Sequence, residues 1–291
     1  MRIDPAGRVV RSTPIPHSET NRGTPIRTFL HTTDGVTIDS VYDPPAVVYD
    51  ASASSARGLV FVVAHGFTGD VDRPHVRRVA KTFTQYGAVV TFSFRGHGAS
   101  GGRSTVGDRE VLDLAAAVEW ARSLGHTRVV TVGFSMGGSV VLRHAALYRP
   151  DGDSGREGRT EAHTDAVVSV SAPARWYYRG TAPMRRVHWL ITRPAGRLVG
   201  RYGLRTRIHH REWDPVPLSP VEAVPRIAPT PLLVVHGDRD GYFPLDHPRM
   251  LAAAAGDHGE LWLEPGMGHA ENAAPDELLG RIGDWAVAQG G

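Results

Sequence analysis

The 291-residue chain contains no cysteine. That absence excludes a disulfide framework, cysteine-ligated zinc, iron–sulfur clusters and thiol nucleophiles. Lysine is nearly absent as well: Lys81 is the only one, so the basic set is otherwise arginine. The charge excess is small, with 33 basic against 30 acidic residues and a formal net charge of +3, which argues against a nucleic-acid or general polyanion binder. No apolar run approaches the roughly 20 residues of a membrane-spanning helix. The N-terminal stretch carries arginines but lacks the apolar segment of a secretory signal, so a cytoplasmic location is expected. What remains is ordinary globular material, 41% hydrophobic and 22% charged. A chain of this length hides about 75% of its unfolded surface, enough for a large core without metals or disulfides.

Residues 1–25 hold prolines and polar residues without periodicity and read as a flexible tail. Two strand-like runs, Arg27–Thr32 and Val36–Tyr42, flank Asp34-Gly35, a strong hairpin signal. Asp50–Arg57, rich in Ala and Ser, reads as a loop. From Gly58 the pattern changes. Gly58–Ala64 is a continuous apolar run, as expected of a strand buried on both faces; Ala88–Phe94, Thr127–Phe134, Ala166–Ser171, Pro231–His236 and Glu260–Leu263 also read as strands. Between and after them come helical patterns at Pro74–Tyr86, Asp108–Leu124, Met136–Tyr148, Leu245–Ala255 and Pro275–Val287. Strands alternating with helices specify a parallel α/β sheet. The polar run Asp151–Thr164 reads as a mobile loop. The alternation breaks at Ala172–Ala228, far beyond the ~12–15 residues a structureless loop occupies in a compact domain. A helical insertion at 172–228 is therefore expected, with 26–171 and 229–291 as the core.

Gly133-Phe134-Ser135-Met136-Gly137 lies where a buried strand ends and a helix begins. A serine forced onto such a tight turn projects its hydroxyl above the sheet, and the helix N-terminus supplies free N–H groups. A serine hydroxyl needs a base to become a nucleophile. Among the 15 histidines, His269 stands out in Gly266-Met267-Gly268-His269-Ala270-Glu271, just after the last predicted strand. An orienting carboxylate should follow the strand Leu232–Val235. Asp240 is the better choice there, past the strand end and before a glycine; Asp238 reads as a turn cap or an arginine partner. After the first parallel strand, Gly66 lets the chain turn so that the Phe67 N–H, with that of Met136, can face a developing oxyanion. His65 reads as a brace for this loop.

The order Ser135, Asp240, His269, with His65-Gly66 upstream and Arg95-Gly96-His97-Gly98-Ala99-Ser100-Gly101 between, resembles the α/β-hydrolase superfamily, in its serine-nucleophile, esterase- and lipase-like members. The resemblance runs from about Ile26 to Trp285. It implies an α/β-hydrolase fold with an eight-stranded, mostly parallel sheet, an opening antiparallel strand, and a helical cap at 172–228. Serine at the nucleophile position sets the chain apart from the haloalkane dehalogenases and epoxide hydrolases, which carry aspartate there.

The expected reaction is hydrolysis of a carboxylic ester through an acyl-enzyme. The same parts would serve a thioester, an amide, a C–C bond beside a ketone, or acyl transfer and perhydrolysis. A non-enzymatic binding role fits poorly with an intact triad. The glycine cluster Gly96–Gly102 lacks the Gly-Lys-Ser/Thr ending of a phosphate loop, and His209-His210 lack metal-ligand spacing. No cofactor, metal or nucleic acid is expected, and the partner is a small-molecule ester or acyl substrate. Trp176 and Tyr177, directly after the sixth strand, are candidate pocket walls.

The 172–228 segment holds eleven arginines against three acidic residues, a net +8 that leaves −5 for the rest of the chain. Arg193, Arg197, Arg201 and Arg205 recur every fourth residue, a stripe on a helix that Pro194 can begin. Leu198, Val199 and Tyr202 lie off the stripe and are expected to face the core or an acyl chain. The stripe suits a solvated face, an anionic substrate or an anionic lipid surface.

Overall fold

Apolar runs without a charged interior residue build the centre of the sheet. The computed structural model describes residues 23–46, 58–149 and 160–289; most of the expected N-terminal tail, the expected loop Asp50–Arg57 and residues 150–159 fall outside them. The strands are β1 (Ile26–His31), β2 (Thr37–Asp43), β3 (Leu59–Ala64), β4 (Ala88–Phe92), β5 (Arg128–Phe134), β6 (Ala166–Val170), β7 (Leu232–Gly237) and β8 (Gly259–Glu264). They form one eight-stranded sheet in the order β1-β2-β4-β3-β5-β6-β7-β8. β2 is antiparallel to β1 and β4, and all other pairings are parallel. Every residue of β3, β4, β6 and β7 is buried, whereas the edge strands β1 and β8 are partly exposed along their length.

The helices are α1 (Pro74–Phe83), α2 (Glu110–Ser123), α3 (Met136–Leu147), α4 (Ala182–Thr192), α5 (Pro194–Gly203), α6 (Pro220–Ala223), α7 (Asp246–Ala255), α8 (Ala270–Ala273) and α9 (Asp276–Ala288). Alternation along β3 decides which helices cover which face. Val60, Val62 and Ala64 join Leu114, Val118, Val140 and Leu251 of α2, α3 and α7 in one apolar cluster. Leu59, Phe61 and Val63 join Val79, Phe83, Leu278 and Ile282 of α1 and α9 in the other. Each large side chain so buried contributes about 1.5–3 kcal/mol.

Several boundaries differ from the sequence reading. α1 stops at Phe83 and not at Tyr86, where the chain turns toward Gly87. α2 begins at Glu110 and not at Asp108. The buried Glu110 carboxylate accepts from Ser104 Oγ and from the N–H groups of Thr105, Val106 and Gly107, so it holds the preceding loop in place. The end of the expected loop 151–164 is ordered: Thr160–Ala162 form a short 3₁₀ turn, and Ala162 and Thr164 are buried.

Segment 172–228 carries α4, α5 and α6, with no helix between Leu204 and Ser219. α5 starts at Pro194 and buries only Gly196 and Gly200. A Cβ on Gly196 would collide with the Trp189 carbonyl and Leu190 of α4, so α5 lies against α4 through its glycine face. Leu198, Val199 and Tyr202 therefore do not face the core; they are 58%, 50% and 74% exposed. The arginine stripe is also shorter than expected. Arg193 is the N-cap, Arg197 and Arg201 lie on the helix, and Arg205 lies beyond its end with φ +52°. Past α5 the chain is tied to the glycine-rich loop by bridges His97–Thr206 and Ser104–Ile208. Gly96 has φ +78°, and a Cβ there would strike the Arg207 carbonyl. That loop is a docking strip for the segment.

Candidate active site

β3 pairs with β4 on one side and β5 on the other, with Ala64 opposite Gly133. The strand order reverses here, and the crevice beyond the strand ends is where open parallel sheets place ligands. Ser135 occupies the turn between β5 and α3 with φ +52° and ψ −112°. For a residue with a side chain that conformation costs on the order of 1–3 kcal/mol. The neighbouring glycines make it attainable: a Cβ on Gly133 would collide with the Gly137 carbonyl, and one on Gly137 with the Ala64 carbonyl. The Ser135 N–H donates to the Val170 carbonyl at 2.8 Å, pinning the turn to β6.

His269 is the N-cap of α8. The Ser135 hydroxyl donates to its Nε2 at 2.9 Å, and its Nδ1–H donates to Asp240 Oδ2 at 2.7 Å. An ionised carboxylate can only accept, which fixes this tautomer. The other Asp240 oxygen accepts the N–H groups of Tyr242 at 2.7 Å and Phe243 at 3.1 Å. Burial pushes the Asp240 carboxyl up, but the His269 hydrogen bond and charge, helped by those two N–H groups, outweigh it and hold the carboxyl below its ordinary value. Asp238 is exposed and accepts the Gly266 N–H at 2.7 Å, the turn-capping alternative.

Neither the Phe67 nor the Met136 N–H has a hydrogen-bond partner among the described residues. The Gly66 N–H, by contrast, donates to Glu271 Oε1 at 2.9 Å. His65 braces this loop: its Nδ1–H donates to the Gly66 carbonyl at 2.6 Å, and its Nε2 accepts the Phe94 N–H at 3.0 Å. Burial first, and then the neighbouring His97, hold His65 well below the ordinary histidine range, so it is neutral.

A cavity of about 620 Å³ opens over these groups, between the sheet edge and segment 172–228. Trp176 and Tyr177 both line it. Trp176 also has a structural anchor, its Nε1–H donating to the Pro217 and Leu218 carbonyls at 3.0 and 3.2 Å. Tyr177 is 56% exposed.

Three residues at the site carry no signal in the local pattern. Glu271 is buried and reaches Gly66 across 205 positions of sequence. The Tyr242 ring stacks on His269 at a centroid distance of 4.1 Å. The His236 Nε2–H donates to the Phe243 carbonyl at 2.9 Å and lies 3.7 Å from Asp240 Oδ2, steadying the loop that carries the carboxylate. Spacing from His269 and Asp240 marked Glu271 and Tyr242 as neighbours, but not as contacts. Among the described residues no set of three His, Asp or Glu is gathered for a metal, and no helix is long and apolar enough to cross a membrane.

Residues 59–281 match the model of the alpha/beta hydrolase family. The chain is 29% identical over 269 residues to the monoacylglycerol lipase of Mycolicibacterium smegmatis, covering 83% of this chain and 93% of the relative. It is 29% identical over 174 residues to Esterase LipC of Mycobacterium tuberculosis, covering 55% of this chain but 40% of the relative. Among solved structures an esterase of Pyrococcus furiosus superposes with a TM-score of 0.67 at 22% identity, over 92% of this chain and 94% of that one.

Proposed function

Given that the chain belongs to the alpha/beta hydrolase family and is an ester hydrolase of the esterase and lipase type, we propose that it cleaves a carboxylic ester through an acyl-enzyme on Ser135. The observation that carries this reading is the continuous hydrogen-bonded chain Ser135–His269–Asp240, at 2.9 and 2.7 Å. Ser135 Oγ attacks the ester carbonyl as its proton passes to His269 Nε2. The negative charge on the carbonyl oxygen is met by the Phe67 and Met136 N–H groups. The tetrahedral adduct collapses, the C–O bond to the alcohol breaks, and His269 returns the proton to the leaving alkoxide. Water then repeats the sequence: His269 takes its proton, hydroxide adds to the acyl carbon, and Ser135 leaves with the proton restored. Asp240 holds the imidazole tautomer and stabilises the imidazolium without itself becoming protonated.

Segment 172–228 acts as the cap that supplies the far wall of the cavity, with Trp176 and Tyr177 as substrate contacts. The resemblance to a monoacylglycerol lipase makes glycerol monoesters of fatty acids the first substrates to assay, beside p-nitrophenyl esters of rising chain length. Ser135→Ala is expected to lower kcat/KM by about 10⁴-fold or more and to abolish labelling by a fluorophosphonate. Asp240→Asn should cost far more than Asp238→Asn. Near-wild-type turnover in Ser135→Ala, or equal losses at the two aspartates, overturns the assignment.

A further inference from the structure

A second cleft, of about 270 Å³, lies beside α5. Four arginines line it, Arg103, Arg197, Arg201 and Arg207, together with His210, and no carboxylate does among the described residues. Arg27, Arg73, Arg77, Arg78, Arg95, Arg122, Arg143 and Arg281, all outside segment 172–228, each pair with an aspartate or glutamate. None of the four cleft arginines makes such a pair among the described residues. Arg197 donates to the Ile191 and Thr192 carbonyls, and Arg201 lies over the neighbouring Tyr202 ring at 5.4 Å. Arg207 donates through Nη2 to the Ser100 carbonyl, and its Nε is buried with no partner.

Like charges gathered in one small cleft repel, and free side chains would splay apart into water. Here the backbone limits that escape. Arg197 and Arg201 stand one turn apart on α5. Arg207 sits in the strip whose N–H donates to the Gly96 carbonyl and whose carbonyl accepts from Ser104, the residue after Arg103. Loss of water contact first, and then the charges of His209, Arg211, Arg103 and Arg197, push the exposed His210 imidazole below its ordinary range.

We infer that this cleft is a binding site for a phosphate monoester group. A single carboxylate would leave most of the four cations unneutralised. A tetrahedral dianion offers acceptors in several directions and matches the forked guanidinium donors. Arg197 and His210 line both this cleft and the cavity over Ser135, so a phosphate held here adjoins the reacting ester. The inference thus extends the ester-hydrolase reading to esters that carry phosphate. The phosphate can arrive on a soluble ester or on a lipid headgroup; the chemistry recognised is the same.

The test is binding without turnover, on full-length Ser135→Ala protein, by calorimetry at fixed ionic strength. Glycerol 3-phosphate probes the soluble source. Vesicles of phosphatidylcholine with and without phosphatidic acid probe the lipid source by co-sedimentation. At least one probe is expected to bind, and Arg103→Gln/Arg201→Gln is expected to weaken that binding about tenfold or more, the scale of losing charge-assisted hydrogen bonds. A control of equal charge change, Arg226→Gln/Arg249→Gln, should weaken it far less. No binding of either probe, or equal weakening in the two double variants, overturns the site. Cleavage of a neutral p-nitrophenyl ester by the wild type reports separately on the ester-hydrolase reading, so the two can fail independently.

Discussion

The α/β body and segment 172–228 use the same residue, arginine, in opposite ways. In the body Arg95 is 3% exposed and donates three hydrogen bonds to the fully buried Asp113, through N, Nε and Nη2 at 2.8, 2.9 and 2.8 Å, and two more to Asp34. In the segment, Arg175 forms the ion pair found among the described arginines, and its partner Asp246 belongs to the body. The helices differ in the same direction: α2 and α3 bury most of their residues, α4 buries none and α5 only two glycines. Where the chain must hold its fold, each buried cation is matched by an anion. In segment 172–228 the other described arginines make no ion pair among the described residues.

The largest effect that would sharpen this contrast is Asp113→Ala. It leaves the Arg95 guanidinium buried with only the Asp34 partner, and should destabilise folding by about 3–5 kcal/mol in denaturant titrations. A cost under about 1 kcal/mol would mean that water reaches Arg95 and that the body tolerates unpaired charge as the segment does.

An intermediate effect concerns pH. Burial, with a smaller push from His163, lowers His144 in α3 from 6.5 to about 3, and neither ring nitrogen has a hydrogen-bond partner among the described residues. The unfolded chain binds a proton there below about pH 6.5, while the folded chain stays neutral until about pH 3. Stability is thus fully present above pH 6.5 and is lost as pH falls through that window. Between pH 7 and pH 5 this amounts to about 2 kcal/mol for His144. His144→Phe keeps a ring beside Tyr148, against which His144 stacks at 4.6 Å, and should lose correspondingly less stability over that interval. Parallel pH curves for the two proteins would remove His144 from the account.

The smallest effect is expected on α4. Arg186 is exposed and makes no ion pair among the described residues, so Arg186→Gln should change unfolding free energy by no more than about 0.5 kcal/mol. A loss above about 1 kcal/mol would show that the segment's charge carries folding energy after all.

Local chemistry made much of this molecule legible before any coordinates. Gly133 and Gly137 around Ser135 announced the strained turn, because only glycine can stand where their Cβ atoms would strike carbonyl oxygens. The runs at β3, β5 and β7 declared strands covered on both faces, and Asp34-Gly35 placed the hairpin, where Gly35 takes φ +79°. Pro194 placed the start of α5. Such features depend on residues a few positions apart, whose sterics and periodicity the sequence states directly.

Tertiary structure alone decided the rest. The preference for Asp240 became a geometry only when β7 and β8 came side by side and set Asp240 against His269, while Asp238 met Gly266. Glu271 acquired the Gly66 N–H because α8 packs near α1 and the turn after β3. The exposure of Leu198, Val199 and Tyr202 ran against their hydrophobicity, since the closest approach of α5 to α4 runs through Gly196 and leaves larger side chains on the outer face. Periodicity shows that a helix has an apolar side; which side is buried depends on how closely the backbones can approach, and that is settled by residues distant in sequence.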